Sequence, residues 1–373
     1  MQIFLVNHKN QKDINAFSGA AYFLSRAIKE EFEEVIEYDL PETEDFVIEV
    51  HNGHFEEKLR PVGKALSNFL QNNKVGADFI LCLGGNTAVP FYEHDIPIVY
   101  WHDCTWHTLL GAYASSARFE EFKIGYKNFH LWDISALKKA DIVIFSSAYI
   151  AEACIRDYKI PGNKVKVIPF GANLYQPPAP DFLQKALEIR SKSKTLHLTF
   201  YGKEWKRKGL QNAYLMTLTL NNRGIHTILN IICGDPVIND LFQSPFVKNH
   251  GYINKSDKNQ YDQLEGILQQ THFLVHPAIA EPFGIALCEA NAYGIPVIGT
   301  DVGGLKTIVI NGRNGYLFKP ENFVKEASLL VKDIFDHFDT KYPPLFHSSL
   351  REFNQRLNWK SSVKELRRVL SAH

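Results

Sequence analysis

Short apolar, β-branched runs alternate with helix-period segments along the whole of this 373-residue chain. That alternation leaves few folds open, because neighbouring parallel strands must be joined by a crossover, usually a helix. Strands are predicted at residues 2–6, 79–83, 98–101, 142–145 and 165–168. A helix is predicted over 20–34, where Ala21, Leu24, Ala27, Ile28, Phe32 and Val35 fall at helical spacing, and another over 147–158. The pattern then breaks. PFGANLYQPPAP, residues 169–180, holds four prolines in twelve residues and suits a hinge between domains. Beyond it the alternation restarts, with strands at 196–201, 228–233, 273–275 and 296–299 and helices at 210–222, 261–270 and 285–293. The expectation is an α/β protein of two doubly wound domains, residues 1–175 and 176–356, facing a central cleft. In such sheets ligands bind at the carboxyl ends of the strands.

Composition narrows the partners. Lys plus Arg and Asp plus Glu both number 41, so there is no basic footprint for nucleic acid. Cys82, Cys104, Cys154, Cys233 and Cys288 are odd in number and never form C-x-x-C, which argues against a disulfide framework or a zinc site. The opening apolar stretch, Ile3 to Val6, is too short for a signal-peptide core. No uncharged run reaches the ~20 apolar residues of a membrane span. The chain therefore reads as cytoplasmic. Residues 106–132 are rich in aromatics, with Tyr113, Phe119, Phe122, Tyr126 and Phe129. They read either as core or as a surface touching lipid, which leaves a peripheral place at the inner membrane open.

The chemistry concentrates in FLVHPAIAEPFGIALCEANAYGIPVIGTD, residues 273–301. A strand runs into a loop holding Glu281, Pro282, Phe283 and Gly284, and a helix opens near Ile285. The first amides of that helix lack intrahelical partners and sit at the positive end of its dipole, a ready site for a diphosphate. Seven residues separate Glu281 in the loop from Glu289 in the helix. One carboxylate can then reach a sugar ring and the other a ribose. A second piece, YGKEWKRKGL, places Lys203, Lys206, Arg207 and Lys208 just after a strand. Fixed cations there would stabilise a departing diphosphate.

Glu281 and Glu289, followed by Ala290, Gly294, Pro296, Val297, Thr300, Gly303, Gly304, Gly312, Gly315 and Phe318, resemble the signature of family 4 glycosyltransferases. The likeness is strong over most of residues 190–320 and weaker before them. It implies the GT-B fold of two Rossmann-like domains, with a last helix, about 357–373 and starting near Trp359, crossing back to the first. It also implies a retaining hexosyltransferase that moves sugar from a UDP- or GDP-sugar to a hydroxyl acceptor. By resemblance Glu281 contacts the donor sugar and Glu289 the ribose. Lys208 before Gly209 matches the family's basic patch. Lys203 stands where an arginine is usual, and the W-x-R-K-G form favours Arg207 as the first cation. In YWHDCT, His102 matches a histidine that meets the donor sugar, with Asp103 the rival and His107 a weaker one on the next helix. Gly19, behind Ser18, matches half of the family's paired glycines near the phosphates. The GYINK run, Gly251 to Lys255 and with it Gly251, Tyr252 and Ile253, resembles the segment whose backbone edges the base.

What the sequence lacks also bears on the reading. No D-x-D occurs, so no metal site of the other major glycosyltransferase fold is expected, and no cofactor beyond the co-substrate. No G-x-G occurs, which removes the dinucleotide fingerprint. Retention of configuration is implied by the family alone, since no residue stands out as a nucleophile. Two alternatives remain: a non-catalytic, two-lobed sugar-nucleotide-binding protein, and a nucleotide-sugar epimerase. The acceptor, whether a sugar, a lipid-linked group or a small molecule, is not legible.

Overall fold

The computed structural model describes residues 1–7, 14, 19–40, 55–83, 89–112 and 119–373. They form two compact units, Met1–Gly171 with Trp359–His373, and Ala172–Asn358.

In the first unit, strands β1 (Gln2–Asn7), β2 (Glu34–Asp39), β3 (Phe79–Leu83), β4 (Ile98–His102), β5 (Ile142–Phe145) and β6 (Val165–Val167) form one sheet in the order β2-β1-β3-β4-β5-β6. Every pairing is parallel. β3 and β5 are buried along their whole length, as central parallel strands must be. The sequence reading has no β2: it runs the first helix on to residue 34 and counts Val35 at helical spacing, whereas the helix ends at Glu31 and Val35 lies in the strand. Its residues, EVIEYD, are half polar because it is an edge strand with one side on solvent. β4 runs one residue further than expected, so His102 is the last residue of a strand and not part of the following turn. The last helix, Trp359–Ser371, belongs to this unit: Trp359 packs on Trp101 and Phe170, and Ser362 donates to the Pro169 carbonyl at 2.6 Å. The aromatic stretch is core where it is described. Trp106 stacks on Phe129 with centroids 3.9 Å apart, and Phe129 and Trp132 are buried against Leu59. Tyr113 and the side chains of Phe119, Phe122 and Tyr126 lie outside the described residues.

In the second unit, β7 (Leu196–Tyr201), β8 (Thr227–Ile232), β9 (Val247–Asn249), β10 (Phe273–His276), β11 (Val297–Thr300) and β12 (Gly315–Phe318) form a second parallel sheet in the order β12-β11-β10-β7-β8-β9. The chain builds outward from β7 to β9, returns, and builds the other way from β10. The switch point of this sheet therefore lies between β7 and β10, and their carboxyl ends border the crevice where such sheets bind ligands.

His272 sits fully buried at the start of β10. Its Nδ1 accepts from the His197 amide at 3.1 Å, and its Nε2 donates to the Arg190 carbonyl at 3.2 Å, which fixes the neutral tautomer. Burial, with the Arg190 cation nearby, pushes its pKa down to about 3. Unfolded, the same ring titrates near ~6.5. The unfolded chain thus takes up the proton first as pH falls. Stability from this group is complete above the unfolded value and drains away until the folded value is reached. Burial lowers His197 and His250 as well, with the same sign. Denaturant midpoints are therefore expected to fall steadily from pH 7 to pH 4. Equal midpoints at pH 7 and 4.5 would contradict the assignment.

Candidate active site

The carboxyl ends of β7 and β10 bring two sequence-distant charged loops together. β7 ends at Tyr201, and the loop after it carries Lys203, Glu204, Lys206, Arg207 and Lys208 before the helix Leu210–Asn222. β10 ends at His276, and the loop after it carries Glu281 before the helix Ile285–Ala292. The two loops are laced by the Ile279 amide donating to the Arg207 carbonyl at 2.8 Å.

Glu281 is 7% exposed and is the centre of the first cluster. Its Oε2 accepts from Lys208 Nζ at 3.1 Å and from His276 Nε2 at 3.1 Å, and lies 3.3 Å from Arg207 Nη1. Burial opposes the charge on this carboxylate. Lys208, the His276 hydrogen bond and Arg207 more than offset it, and hold the carboxyl well below its usual range. Burial pushes His276 the other way, below the ordinary imidazole value, so at neutral pH it is a neutral donor to Glu281. Arg207 is engaged on several sides. Its Nε donates to Glu204 Oε2 at 2.7 Å and its Nη1 to the Ala280 carbonyl at 2.7 Å. Lys208 folds back across the end of β7, where a Cβ on Gly202 would lie 2.3 Å from its Cδ. With Lys208 and Arg207 positive and Glu281 and Glu204 negative, the cluster is close to neutral. The exposed Lys203 and Lys206 add positive charge at its margin.

Glycines shape this loop. Gly303 has φ +52°, and a Cβ there would sit 2.3 Å from the Glu281 carbonyl oxygen. Its neighbour Gly304 donates its amide to that same oxygen at 2.8 Å. No other residue type fits so close behind the carboxylate's backbone. Gly284 precedes the helix at φ +106°, with Phe283 buried, and Pro282 and Ile285 half-buried beside it.

Glu289 belongs to a second cluster. It is 4% exposed and pairs with Lys255 Nζ at 2.6 Å, beside the Tyr201 ring. Tyr252 is 49% exposed, and the Lys203 ammonium lies 5.6 Å from its ring centroid. Ile253 is buried, and Gly251 has φ +69° with its amide bound to Asn249 Oδ1 at 3.1 Å. The structure thus brings Lys203, Arg207, Lys208, Gly251, Tyr252, Ile253, Pro282, Phe283, Gly284, Ile285, Glu281 and Glu289 onto the carboxyl edge of one sheet. His276, Glu204, Tyr201 and the Lys255 side chain join them; none has a site role in the sequence reading, where Lys255 only closes the GYINK run. His276 opens the loop that carries Glu281, and that position was its only signal.

His102, Asp103 and Gly19 belong to the first unit. His102 Nδ1 lies 2.9 Å from the Cys104 carbonyl, 3.1 Å from the Cys104 amide and 3.3 Å from Asp103 Oδ1. His107 lies on the helix Trp106–Ala112. Gly19 has φ +87° and precedes the helix Ala20–Glu31. Ser18 lies outside the described residues.

Residues 181–337 match the family described as glycosyl transferases group 1. An Escherichia coli protein named UDP-Gal:alpha-D-GlcNAc-diphosphoundecaprenol alpha-1,3-galactosyltransferase is 26% identical over 61% of this chain and 59% of its own length. The chain spans less than two thirds of the length of the curated relatives it matches. Among solved structures, sucrose-phosphate synthase from Thermosynechococcus elongatus aligns over 100% of both chains with a TM-score of 0.71 at 17% identity. Anabaena HepE, in complex with UDP and glucose, aligns over 100% of both with a TM-score of 0.67 at 16% identity.

Proposed function

From a GT-B fold whose residues 181–337 form a glycosyl transferases group 1 domain, we propose that this chain moves a hexosyl group from a nucleoside diphosphate sugar to a hydroxyl acceptor. The observation that carries the reading is the pair of buried carboxylates, Glu281 and Glu289, at the switch point of the second sheet, each held by its own lysine. A carboxylate held in this way can accept hydrogen bonds from sugar and ribose hydroxyls without losing its charge. Lys208, Arg207 and the amides that open the helix Ile285–Ala292 supply positive charge for the diphosphate. That HepE was solved with UDP and glucose supports a nucleotide-sugar donor.

In this reading the acceptor oxygen attacks the anomeric carbon while the bond to the β-phosphate oxygen breaks. The nucleoside diphosphate leaves with the bonding electrons, and the acceptor proton passes to its phosphate oxygen. Attack on the face the phosphate leaves gives retention, as the family resemblance implies. His102, with Asp103 the rival, is assigned to the sugar, and Gly19 to the phosphates. In this reading the chain needs no resident metal, because Arg207, Lys208 and the helix start after Gly284 supply the positive charge a metal would bring. No helix among the described residues is long and apolar enough to cross a membrane. A cytoplasmic place belongs to the proposal.

A donor panel tests it. UDP-, GDP- and ADP-sugars are incubated with the chain, and release of nucleoside diphosphate is followed with and without EDTA. One donor is expected to be turned over at the same rate in both. Donor protection in a thermal melt with no turnover under any acceptor would instead mark a pure binder. Loss of turnover in EDTA, restored by magnesium or manganese, would sink the metal-free mechanism.

A further inference from the structure

Glu289 is fixed by a cation that arrives from 34 residues away in sequence. Lys255 follows β9, and its Nζ donates to Glu289 Oε1 at 2.6 Å. The same ammonium lies 5.4 Å from the Tyr201 ring centroid and 3.5 Å from the Asn173 carbonyl oxygen. The two paired side chains are 16% and 6% exposed. Burial works against the lysine's charge, but Glu289 and Tyr201 outweigh it and raise the lysine pKa. The other Glu289 oxygen, Oε2, makes no hydrogen bond among the described residues.

A buried carboxylate on a short helix has two problems. Without a partner it loses hydration and tends to take a proton, which turns an acceptor into a donor. It can also rotate away from its ligand. One short charge-assisted bond to Oε1 solves both and leaves Oε2 fixed and open. The acceptors a vicinal diol requires are then displayed in one geometry. We propose that Lys255 is a positioning residue. It holds the Glu289 carboxylate for a ribose diol, and so makes this site prefer a ribonucleotide to its 2′-deoxy counterpart. The inference rests on the reading of Glu289 as the ribose carboxylate.

Sugar discrimination separates this role from a merely structural one. Dissociation constants are measured by calorimetry for UDP, GDP and ADP and for their 2′-deoxy forms, on the wild-type chain, Lys255→Met and Lys255→Arg. Thermal unfolding confirms that each is folded. The wild-type chain should favour the ribonucleotide of its preferred base by about tenfold or more, the worth of one hydrogen bond to a charged group. In Lys255→Met that preference should shrink to within about twofold, and in Lys255→Arg most of it should return. A structural role would weaken both forms alike and keep the ratio. A wild-type preference that Lys255→Met retains overturns the inference alone. A wild-type chain that binds no nucleoside diphosphate, or shows no ribose preference, overturns the donor reading and this inference with it. If Lys255→Met does not fold, Lys255→Gln keeps a polar side chain of lower demand and is read on the same ratio.

Discussion

Replacing Arg190 with alanine is expected to lower the unfolding free energy by about 3–5 kcal/mol, the range for removing one partner from a buried charged network. Arg190 lies on the helix Pro180–Lys192 and is fully buried. No carboxylate pairs with it among the described residues. Its guanidinium donates instead to the carbonyls of Leu268, Gln269, Tyr293 and Gly294, at 2.9, 3.2, 3.1 and 3.3 Å, and to the Tyr342 hydroxyl at 3.2 Å. Those carbonyls end two helices, Lys258–Gln270 and Ile285–Ala292. One side chain therefore donates to carbonyls at the ends of both helices and places a positive charge at the negative ends of their dipoles. Alanine removes the donor that the Gln269, Tyr293 and Gly294 carbonyls share, leaves the Leu268 carbonyl only its bond from the Thr271 amide, and opens a cavity beside Phe346. Lysine should rescue little, since one ammonium cannot reproduce a five-donor planar fork. Urea unfolding of the two variants checks this. A loss below ~1 kcal/mol for alanine would mean that water or a rearranged side chain takes over those carbonyls.

The second helix is the one that carries Glu289. Its carboxyl end is thus tied by Arg190, and its start follows Gly284. Nothing in the sequence around Arg190 announces this. Its partners lie 78 to 152 residues away, and only the packed sheet brings them within reach. The same limit explains why the pairing of Lys255 with Glu289 and that of Glu204 with Arg207 were missed. Local pattern reports which residues share a strand, a helix or a loop, and it placed most strands to within a residue. It failed for β2, β9 and β12, which are edge strands too short or too polar to carry an apolar run. The Glu281-to-Glu289 spacing and its glycines were legible because each lies within one strand-loop-helix unit. Pairing between units was not legible. Lys208 and Glu281 read as two independent contacts to a ligand, whereas the fold makes them partners of each other. Arg207 read as a free cation, and the fold ties it to Glu204 and to the Ala280 carbonyl.

That pairing changes what substitutions in the first cluster should do. Lys208→Ala is expected to lower the turnover number by a factor of ~10²–10³, with a smaller effect on the donor's Michaelis constant, because its charge matters most as the diphosphate departs. Glu281→Gln should cost a comparable factor by a different route. The carboxylate carries a negative charge that Lys208, Arg207 and the His276 N–H all face. A neutral amide leaves Lys208 without its anchor and leaves the sugar hydroxyls a weaker acceptor. Because the two residues act through one contact, the double variant should be only slightly worse than either single one. Independent sites would multiply their losses, to ~10⁴ or more, whereas partners in one network show strong coupling. The pH dependence separates them further. Glu281 is held ionised far into acid, so it cannot supply the acid limb of the wild-type rate profile. Removing it should leave the position of that limb in place while lowering its height. Steady-state kinetics of the four chains across pH 5 to 8 measure all of this. Turnover within threefold of wild type for Lys208→Ala, or losses that multiply in the double variant, would show that the paired cluster is scaffold and that the diphosphate is met elsewhere, at Lys203 or Lys206.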